Sequence, residues 1–273
     1  MDILQQAAEN LRKIREKKPL VHHITNYVTA NDCANITLAV GGSPVMADDL
    51  GEAEEMAALA SALVLNIGTL SARKVEAMLA AGKKAGCLGL PVVFDPVGVG
   101  ATGLRTEMAQ KIVREIRLAV IRGNMSEIKF LAGMNVAIKG VDAMTDAKGA
   151  ESAAQTLAKE LSCVVAVTGK RDIVTDGTRT FYIDNGHEML SRVTGTGCMA
   201  TSLIGAYCGA AAARDYLTAA VAGLVSMGLA GELAHKSLAK DEGIGAFKAR
   251  LFDWIYNLTP EMIAAQGRVS ASK

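Results

Sequence analysis

The stretch ALVLNIGTLSARKVEAMLAAGKKAGCLGLPVVFDPVG (residues 62–98) joins two short apolar runs through a helical pattern. The runs at residues 62–68 and 91–98 stay apolar until a polar residue near their end, which is typical of strands covered on both faces. The segment between them, residues 71–85, has the pattern of a helix. Strand, helix and strand in this order predict two parallel strands joined by a crossover helix.

The same alternation continues toward the C-terminus. Further strands are predicted at residues 118–124 and 163–169, and further helices at residues 106–117 and 147–161. Residues 172–193 differ, because DIVTDG, TRTFYIDNG and HEMLSRV predict a meander of short antiparallel strands. The part after Cys198 predicts mostly helix. We therefore expect one α/β domain over residues 1–273, with a mostly parallel sheet flanked by helices and an antiparallel edge.

Composition narrows the class of protein. The 273 residues are half apolar and carry a formal net charge of +1, which argues against a protein built to coat nucleic acid or an acidic membrane. Five cysteines at irregular spacings without a CxxC motif predict neither disulfides nor a zinc site, and favour the cytoplasm. The N-terminus mixes both charge signs and predicts an amphipathic helix, not a signal peptide. The apolar runs at residues 193–213 and 217–231 predict buried helices of a soluble protein.

Polar residues end four of the predicted parallel strands: Asn66, Asp95, Asn124 and Thr168. In open α/β sheets the ligand site lies just beyond the carboxyl ends of the strands. Polar residues also begin loops in proteins without a site, but four in corresponding positions favour a site on this edge.

Two glycine patterns resemble dinucleotide fingerprints, GVGATG at residues 98–103 and GTGCMA at residues 195–200. The fingerprint is short and common, so either match is weak. The strand expected after the first pattern ends in Asn124 where an acid is required. Asp215, at the right distance from the second, lies in a helical context. The sequence has no GxxxxGK[ST], which excludes the P-loop class.

The charge-free stretch VTGTGCMATSLIGA (residues 193–206) predicts an anion site at a helix start. Its glycines allow a tight turn, and the free N–H groups of the first helical turn bind anions together with the helix dipole. We expect the anion hole to be formed by Gly195, Thr196, Gly197 and Cys198, and to suit a transferring phosphoryl group. A plain glycine-rich helix start that packs against a strand is the alternative.

The segment NMSE (residues 124–127) has two interpretations. Asn124 as N-cap with Glu127 three positions later is a capping box. Alternatively, Glu127 places a carboxylate on the strand-end edge, where it and Asp95 could hold Mg²⁺ directly or through water.

Cys198 lies in the first turn of the helix, where the dipole favours a thiolate. A small, tightly packed residue is the alternative. Covalent catalysis is the least favoured use, because it requires a paired histidine base. The four histidines show no such pairing, and the adjacent His22 and His23 face opposite sides of an extended run.

Eight segments resemble the hydroxyethylthiazole kinases of thiamine salvage, in the ribokinase-like superfamily. In order, they are PLVHHITNYVTANDCAN, GGSPVMADD, ALVLNIGTL, PVVFDPVGVGAT, IRGNMSEI, KGVD, AVTGKRDIVTDG and VTGTGCMATSLIGA. The resemblance implies a ribokinase-like fold and transfer of the ATP γ-phosphate to the alcohol of 4-methyl-5-(2-hydroxyethyl)thiazole, with Mg²⁺. It also implies a homotrimer with the thiazole site between subunits.

Site roles follow from the same resemblance, position by position. It implies ATP contacts at Arg122 and Thr168. It implies substrate contacts at Met46, Gly195 and Asn26. The magnesium would be organised by Asp95, Asn124 and Glu127.

The wider superfamily usually has an aspartate base at the position of Cys198. The thiazole kinases resemble this sequence in having a cysteine there. Our hypothesis is that Cys198 orients the substrate hydroxyl and acts at most as a modest base. Related vitamin kinases acting on hydroxymethylpyrimidine or pyridoxal are alternatives within the superfamily. An NAD(P)-dependent oxidoreductase resting on GVGATG and a non-catalytic ATP or thiazole sensor are the alternatives from other classes.

Overall fold

The computed structural model describes residues 2–135 and 147–272. The segment KGVD (residues 139–142) lies outside the described residues. The strands are β1 (Leu20–Ile24), β2 (Ser43–Val45), β3 (Ala62–Asn66), β4 (Val92–Asp95), β5 (Val120–Asn124), β6 (Val164–Thr168), β7 (Asp172–Thr175), β8 (Thr180–Ile183) and β9 (Val269–Ala271). They form one sheet, and the fold is α/β, as predicted.

Eleven helices are described around this sheet. They are α1 (Ile3–Lys17), α2 (Ala30–Val40), α3 (Ala53–Leu59), α4 (Ala72–Leu88), α5 (Gly103–Glu115), α6 (Met125–Asn135), α7 (Ala147–Leu161), α8 (Thr196–Ala210), α9 (Tyr216–Lys236), α10 (Ile244–Asn257) and α11 (Pro260–Gln266). The N-terminal amphipathic helix is confirmed as α1. Helix α5 begins at Gly103, earlier than its apolar pattern predicts, because the Thr102 hydroxyl accepts the N–H of Arg105 as a cap.

The strand order is β2-β1-β3-β4-β5-β6-β7-β8-β9, and the first six strands run parallel. Their carboxyl ends therefore lie along one edge of the sheet, which we call the carboxyl edge. Asn66 is the register partner of Asp95, and Asn124 is the register partner of Thr168. The strand-end polar residues lie on one edge as predicted, but in two register pairs. Phe94 pairs with Ile121, so Asn124 lies two residues beyond the level of Asp95.

The antiparallel edge is confirmed, but one of its predicted strands is wrong. HEMLSRV contains a 3₁₀-helix at Glu188–Arg192, and β9 from the C-terminus pairs with β8 instead. The 3₁₀ segment has no fully buried residue, and its half-buried Met189 and Leu190 pack against the core without joining the sheet. The side chain of His187 caps it by accepting the N–H of Met189.

Hydrophobic clusters cover both faces of the sheet. One face carries α1 and the apolar pair α8 and α9. Helix α9 is the one helix in the described ranges long and apolar enough to cross a membrane, and 89% of that span is buried inside the protein. Its apolar surface therefore forms the core that supports α8.

Helices α8 and α9 cross at a glycine. A Cβ atom on Gly223 would lie 2.7 Å from Cγ1 of Ile204 and 3.0 Å from its backbone nitrogen. A backbone atom cannot move aside as the end of a flexible side chain can. The close packing of α8 against α9 therefore requires a residue without a side chain at Gly223.

We expect Gly223→Ala to lower the free energy of unfolding by about 1–3 kcal/mol, because a methyl group there overpacks the crossing. The matched control is Gly86→Ala in α4, where a Cβ atom meets nothing within 4 Å. That change should raise the free energy of unfolding by up to about 1 kcal/mol through helix propensity. Urea denaturation measures both, and equal effects would contradict the close crossing.

Candidate active site at the carboxyl edge

A chain of polar side chains lies across the carboxyl edge. Asn26, in the loop after β1, donates from its amide to Oδ1 of Asn66 at 3.0 Å. The Asn66 amide donates to Oδ2 of Asp95 at 3.0 Å, and the Thr201 hydroxyl of α8 donates to the same oxygen at 2.8 Å. All four residues are buried. The loop after β1, two strand ends and α8 are therefore joined at one point.

Asp95 is the acidic member of this chain, and it is fully buried. Burial raises the pKa of its carboxyl group to about 6, against the opposing effects of Arg122 and of the Thr201 and Asn66 hydrogen bonds. Its second oxygen, Oδ1, is buried and has no hydrogen-bond partner among the described residues. Asp95 thus retains one unused acceptor atom.

The thiol of Cys198 lies beside the same chain. Its Sγ accepts from the Asn66 amide at 3.3 Å and from the Asn26 amide at 3.4 Å. Burial, and then the nearby Asp95 carboxyl group, raise the pKa of Cys198. Desolvation therefore acts against the thiolate that the helix dipole would favour, and it is the larger of the two effects on the pKa. Cys198 is a neutral, hydrogen-bonded thiol near neutral pH.

The start of α8 is built from the glycines of GTGC. Gly195 has φ +86°, and a Cβ atom there would lie 2.6 Å from Cγ2 of Thr29, so glycine suits both conformation and space. Within the described part of the chain, no side chain caps this helix start. The Thr196 hydroxyl is directed elsewhere, since it donates to the Leu190 carbonyl at 2.8 Å. The N–H groups of the first turn therefore have no partner within their helix.

The guanidinium group of Arg122, from β5, lies against this helix start. A Cβ atom on Gly197 would lie 2.6 Å from Nη1 of Arg122. Nη2 donates to the Thr168 hydroxyl, and Nη1 lies 3.7 Å from Oδ2 of Asp95. A fixed cation and the positive end of a helix dipole thus meet at one place, which is the arrangement that binds phosphate.

Glu127 forms the capping box that its spacing predicted. Its Oε2 accepts the N–H of Asn124 at 2.8 Å, and its own N–H donates to Oδ1 of Asn124 at 2.9 Å. Its Oε1 accepts the N–H of Gly98 at 2.8 Å, which ties the loop after β4 to the start of α6. No group of three or more His, Cys, Asp or Glu suited to a metal ion occurs within residues 2–135 and 147–272.

Met46, and the neighbouring pair His22 and His23 in β1, lie toward the β2 edge of the sheet. Met46 is half-buried and follows β2, the edge strand beyond β1. The loop that carries it is held by His22, whose Nε2 lies 2.6 Å from the Ala47 carbonyl oxygen. Both His22 and His23 are buried, and burial lowers the pKa of each. His22 and His23 are therefore buried, neutral residues of the core around β1, and His22 holds the loop that carries Met46.

Two residues of the site had not been assigned a role from sequence. Asn66 had been recognised only as a strand end, and it joins Asn26, Asp95 and Cys198. Thr201 had not been recognised at all, because a threonine inside an apolar helix carries no distinguishing pattern. One helical turn after Gly197, it donates to Asp95 and to the Gly197 carbonyl.

A mostly parallel sheet, with Arg122 and the start of α8 together at its carboxyl edge, defines the structural class of the protein. A ribokinase-like superfamily protein from Enterococcus faecalis superposes with a TM-score of 0.64, with 95% of each chain covered and 10% identity. At that identity the likeness shows the fold alone, and the fold is ribokinase-like.

The particular family follows from closer relatives. The model of the hydroxyethylthiazole kinase family matches residues 11–261. The chain is 52% identical over 270 residues to a hydroxyethylthiazole kinase of Alkaliphilus oremlandii, covering 98% of this chain and 99% of the relative. The solved hydroxyethylthiazole kinase of Pyrococcus horikoshii has a TM-score of 0.89 at 40% identity, covering 98% and 99% of the two chains. The chain belongs to the hydroxyethylthiazole kinase family.

The buried Asp95 gives a pH-dependent prediction. A carboxyl group with a raised pKa binds protons more readily in the folded than in the unfolded chain, so its contribution to stability falls as pH rises from about 4 to about 6. Asp95→Asn removes this contribution, and its carbonyl oxygen still accepts from Asn66 and Thr201. Relative to the unmodified protein, the variant should therefore become more stable as pH rises from 4 to 7.

Urea denaturation at several pH values between 4 and 7.5 measures this difference. The control is Asp241→Asn, which removes an exposed carboxylate and should show no such change over the same interval. A pH-independent difference between Asp95→Asn and the unmodified protein would contradict the raised pKa.

Proposed function

We propose that the protein transfers the γ-phosphoryl group of ATP to the hydroxyl group of 4-methyl-5-(2-hydroxyethyl)thiazole, releasing ADP, in thiamine salvage. One observation carries the proposal: Arg122 and the uncapped start of α8 meet beside Cys198 and Asp95. Membership of the hydroxyethylthiazole kinase family supports the choice of alcohol.

The phosphoryl group is placed on the start of α8. Phosphoryl transfer proceeds through a loose transition state whose charge lies on the equatorial oxygens. The N–H groups of Thr196, Gly197 and Cys198 donate to these oxygens, and the Arg122 guanidinium neutralises their charge. Thr168 accepts from Arg122 and so holds the guanidinium in position.

Mg²⁺ fits the acidic side chains at the same place. Asp95 offers an oxygen without a hydrogen-bond partner among the described residues, and carboxylate oxygens are the donors that Mg²⁺ prefers. Both oxygens of Glu127 already accept backbone N–H groups, so Glu127 and Asn124 act through bound water. When bound, Mg²⁺ neutralises phosphate charge and orients the β- and γ-phosphates.

The thiazole is placed on the other side of Cys198. Asn26 and Gly195 line this side, with Met46 farther along the edge, and the neutral thiol orients the substrate hydroxyl. Tyr27 and Val28, which directly follow Asn26, are 78% and 57% exposed. These exposed apolar side chains support a homotrimer in which a neighbouring subunit closes the thiazole pocket.

The experiment that tests the function is ADP release from Mg·ATP with three alcohols in parallel. We expect the highest kcat/KM with hydroxyethylthiazole and lower values with hydroxymethylpyrimidine and pyridoxal. Preference for either of the other two would replace the proposed substrate. ATP protection in a thermal shift without turnover of any alcohol would support the sensor alternative instead.

The role of Cys198 is tested by substitution. Cys198→Asp should keep or raise kcat, because a carboxylate there accepts the Asn26 and Asn66 amide N–H groups and can also take the hydroxyl proton. Cys198→Ala should lower kcat by about tenfold, the worth of one hydrogen bond to the substrate. Steady-state kinetics on folded variants measures both. Complete loss of turnover in Cys198→Asp would show that this position does not face the hydroxyl.

A further inference from the structure

A second cavity of about 740 Å³ lies at the opposite end of the parallel strands from the candidate active site. It is bordered by the starts of β4, β5 and β6, at Pro91, Ala119 and Val164. The family resemblance assigned no role to any of its residues. We call it the amino-edge cavity.

Four cations line the amino-edge cavity, and only one of them is paired. Arg179 forms an ion pair with Asp176 at 2.8 Å. The side chains of Arg117, Lys159 and Arg214 have no hydrogen bond or ion pair with any residue in the described part of the chain. Three positive charges without an ion-pair partner among the described residues therefore border one cavity.

The two acids in the lining are already engaged. Asp176 accepts the backbone N–H groups of Thr178 and Arg179 as well as the Arg179 side chain. Asp215 caps α9, accepting the N–H of Thr218 at 3.2 Å and its hydroxyl at 2.6 Å. With four cations and two carboxylates in its lining, the cavity still has a formal charge of +2.

Two of these cationic side chains pass directly over glycines. A Cβ atom on Gly89 would lie 2.6 Å from Nη2 of Arg214, and one on Gly177 would lie 2.5 Å from Cγ of Lys159. The guanidinium group of Arg214 thus crosses the end of α4, and the stem of Lys159 crosses the β7–β8 turn. Both side chains are exposed, so an anion that enters the cavity from solvent can reach them.

The cavity also contains an aromatic ring and an apolar wall. Tyr216 begins α9 and is half-buried beside Leu90 and Leu217 in the lining. The charges of both Arg214 and Arg117 oppose the burial that raises the pKa of Tyr216, as expected if both guanidinium groups lie near its hydroxyl. A ring therefore lies next to two of the unpaired cations.

We propose that the amino-edge cavity binds a small organic phosphate. Its phosphate contacts Arg117, Lys159 and Arg214, and its ring or other apolar part packs on Tyr216 and Leu90. The volume is within the range of small-molecule sites, which is about 300–1,000 Å³. Arginine suits phosphate because its planar fork can donate two parallel hydrogen bonds to phosphate oxygens.

Phenyl phosphate is the probe, titrated calorimetrically into the protein saturated with Mg²⁺ and the non-hydrolysable nucleotide AMP-PCP, which keep phosphate from the carboxyl edge. We expect saturable binding that weakens at least tenfold in the double variant Arg117→Ala/Arg214→Ala, and that weakens with added salt. The control with the same charge change is Lys236→Ala/Lys240→Ala, two exposed lysines outside the cavity, which should bind as the unmodified protein does.

Inorganic phosphate in a parallel titration distinguishes an organic phosphate from the free anion. It should bind more weakly than phenyl phosphate, because it cannot use Tyr216. Equal affinity for the two probes would overturn the organic assignment, and unchanged binding in the double variant would overturn the site.

The double variant should keep its ADP-release activity, since neither arginine lies on the carboxyl edge. If it does not fold, Arg214→Gln alone should weaken phenyl phosphate binding severalfold, and unchanged binding there would also overturn the proposal. Absence of turnover in the unmodified protein would contradict the proposed kinase activity while leaving the calorimetric result to decide on the amino-edge cavity.

Discussion

A carboxylate buried at the middle of the sheet edge is the constraint on which the site depends. Burying a charge costs free energy unless it is paired and hydrogen-bonded. Asp95 has Arg122 at 3.7 Å and two hydrogen bonds to one oxygen, yet its pKa is still raised to about 6. The compensation is incomplete at Oδ1 of Asp95, which has no hydrogen-bond partner among the described residues. The buried carboxylate of Asp95 therefore lowers the stability of the fold. A bound metal ion with its phosphate would supply the contacts that this carboxylate lacks.

The small residues of α8 follow from the same constraint. Arg122 reaches the helix start only because Gly197 has no side chain, and the helix start turns only because Gly195 adopts φ +86° against Thr29. Farther along α8, a Cβ atom on Gly205 would lie 2.5 Å from Cγ2 of Val64, so the helix lies directly on β3. Glycine at these positions weakens the helix intrinsically. The tight packing of α8 between the sheet and α9 outweighs that cost.

The sequence predicted the parts of this molecule that depend on local pattern. Apolar runs ending in Asn66, Asp95, Asn124 and Thr168 predicted the parallel strands and their common edge, because burial on both faces leaves a visible pattern. The third antiparallel strand was assigned wrongly, since β9 comes from the far C-terminus and β-pairing across that distance has no local signal. The capping box of Glu127 was predictable from spacing alone.

The sequence predicted where the site lies in the fold, but only some of the contacts within it. Asn124 and Glu127 are joined as their spacing required, but the contacts of Asn66 and Thr201 depend on how α8 is placed over the sheet. The direction in which the pKa of Cys198 shifts could not be predicted from sequence, for a related reason. The dipole at a helix start can be read from sequence, whereas the burial that outweighs it arises from four separate elements packed together.

The neutral thiol has a consequence for how the rate enhancement is divided. General-base catalysis is worth about 10²–10⁴-fold when the base is matched to the pH, and a thiol whose pKa is raised is poorly matched. One preorganised donor to developing charge is worth about 10²–10³-fold, and the start of α8 presents several, together with Arg122. In a loose transition state the hydroxyl keeps its proton until late, so the missing base costs little. A cysteine at position 198 is thus compatible with phosphoryl transfer because charge neutralisation, and not proton removal, carries most of the barrier reduction.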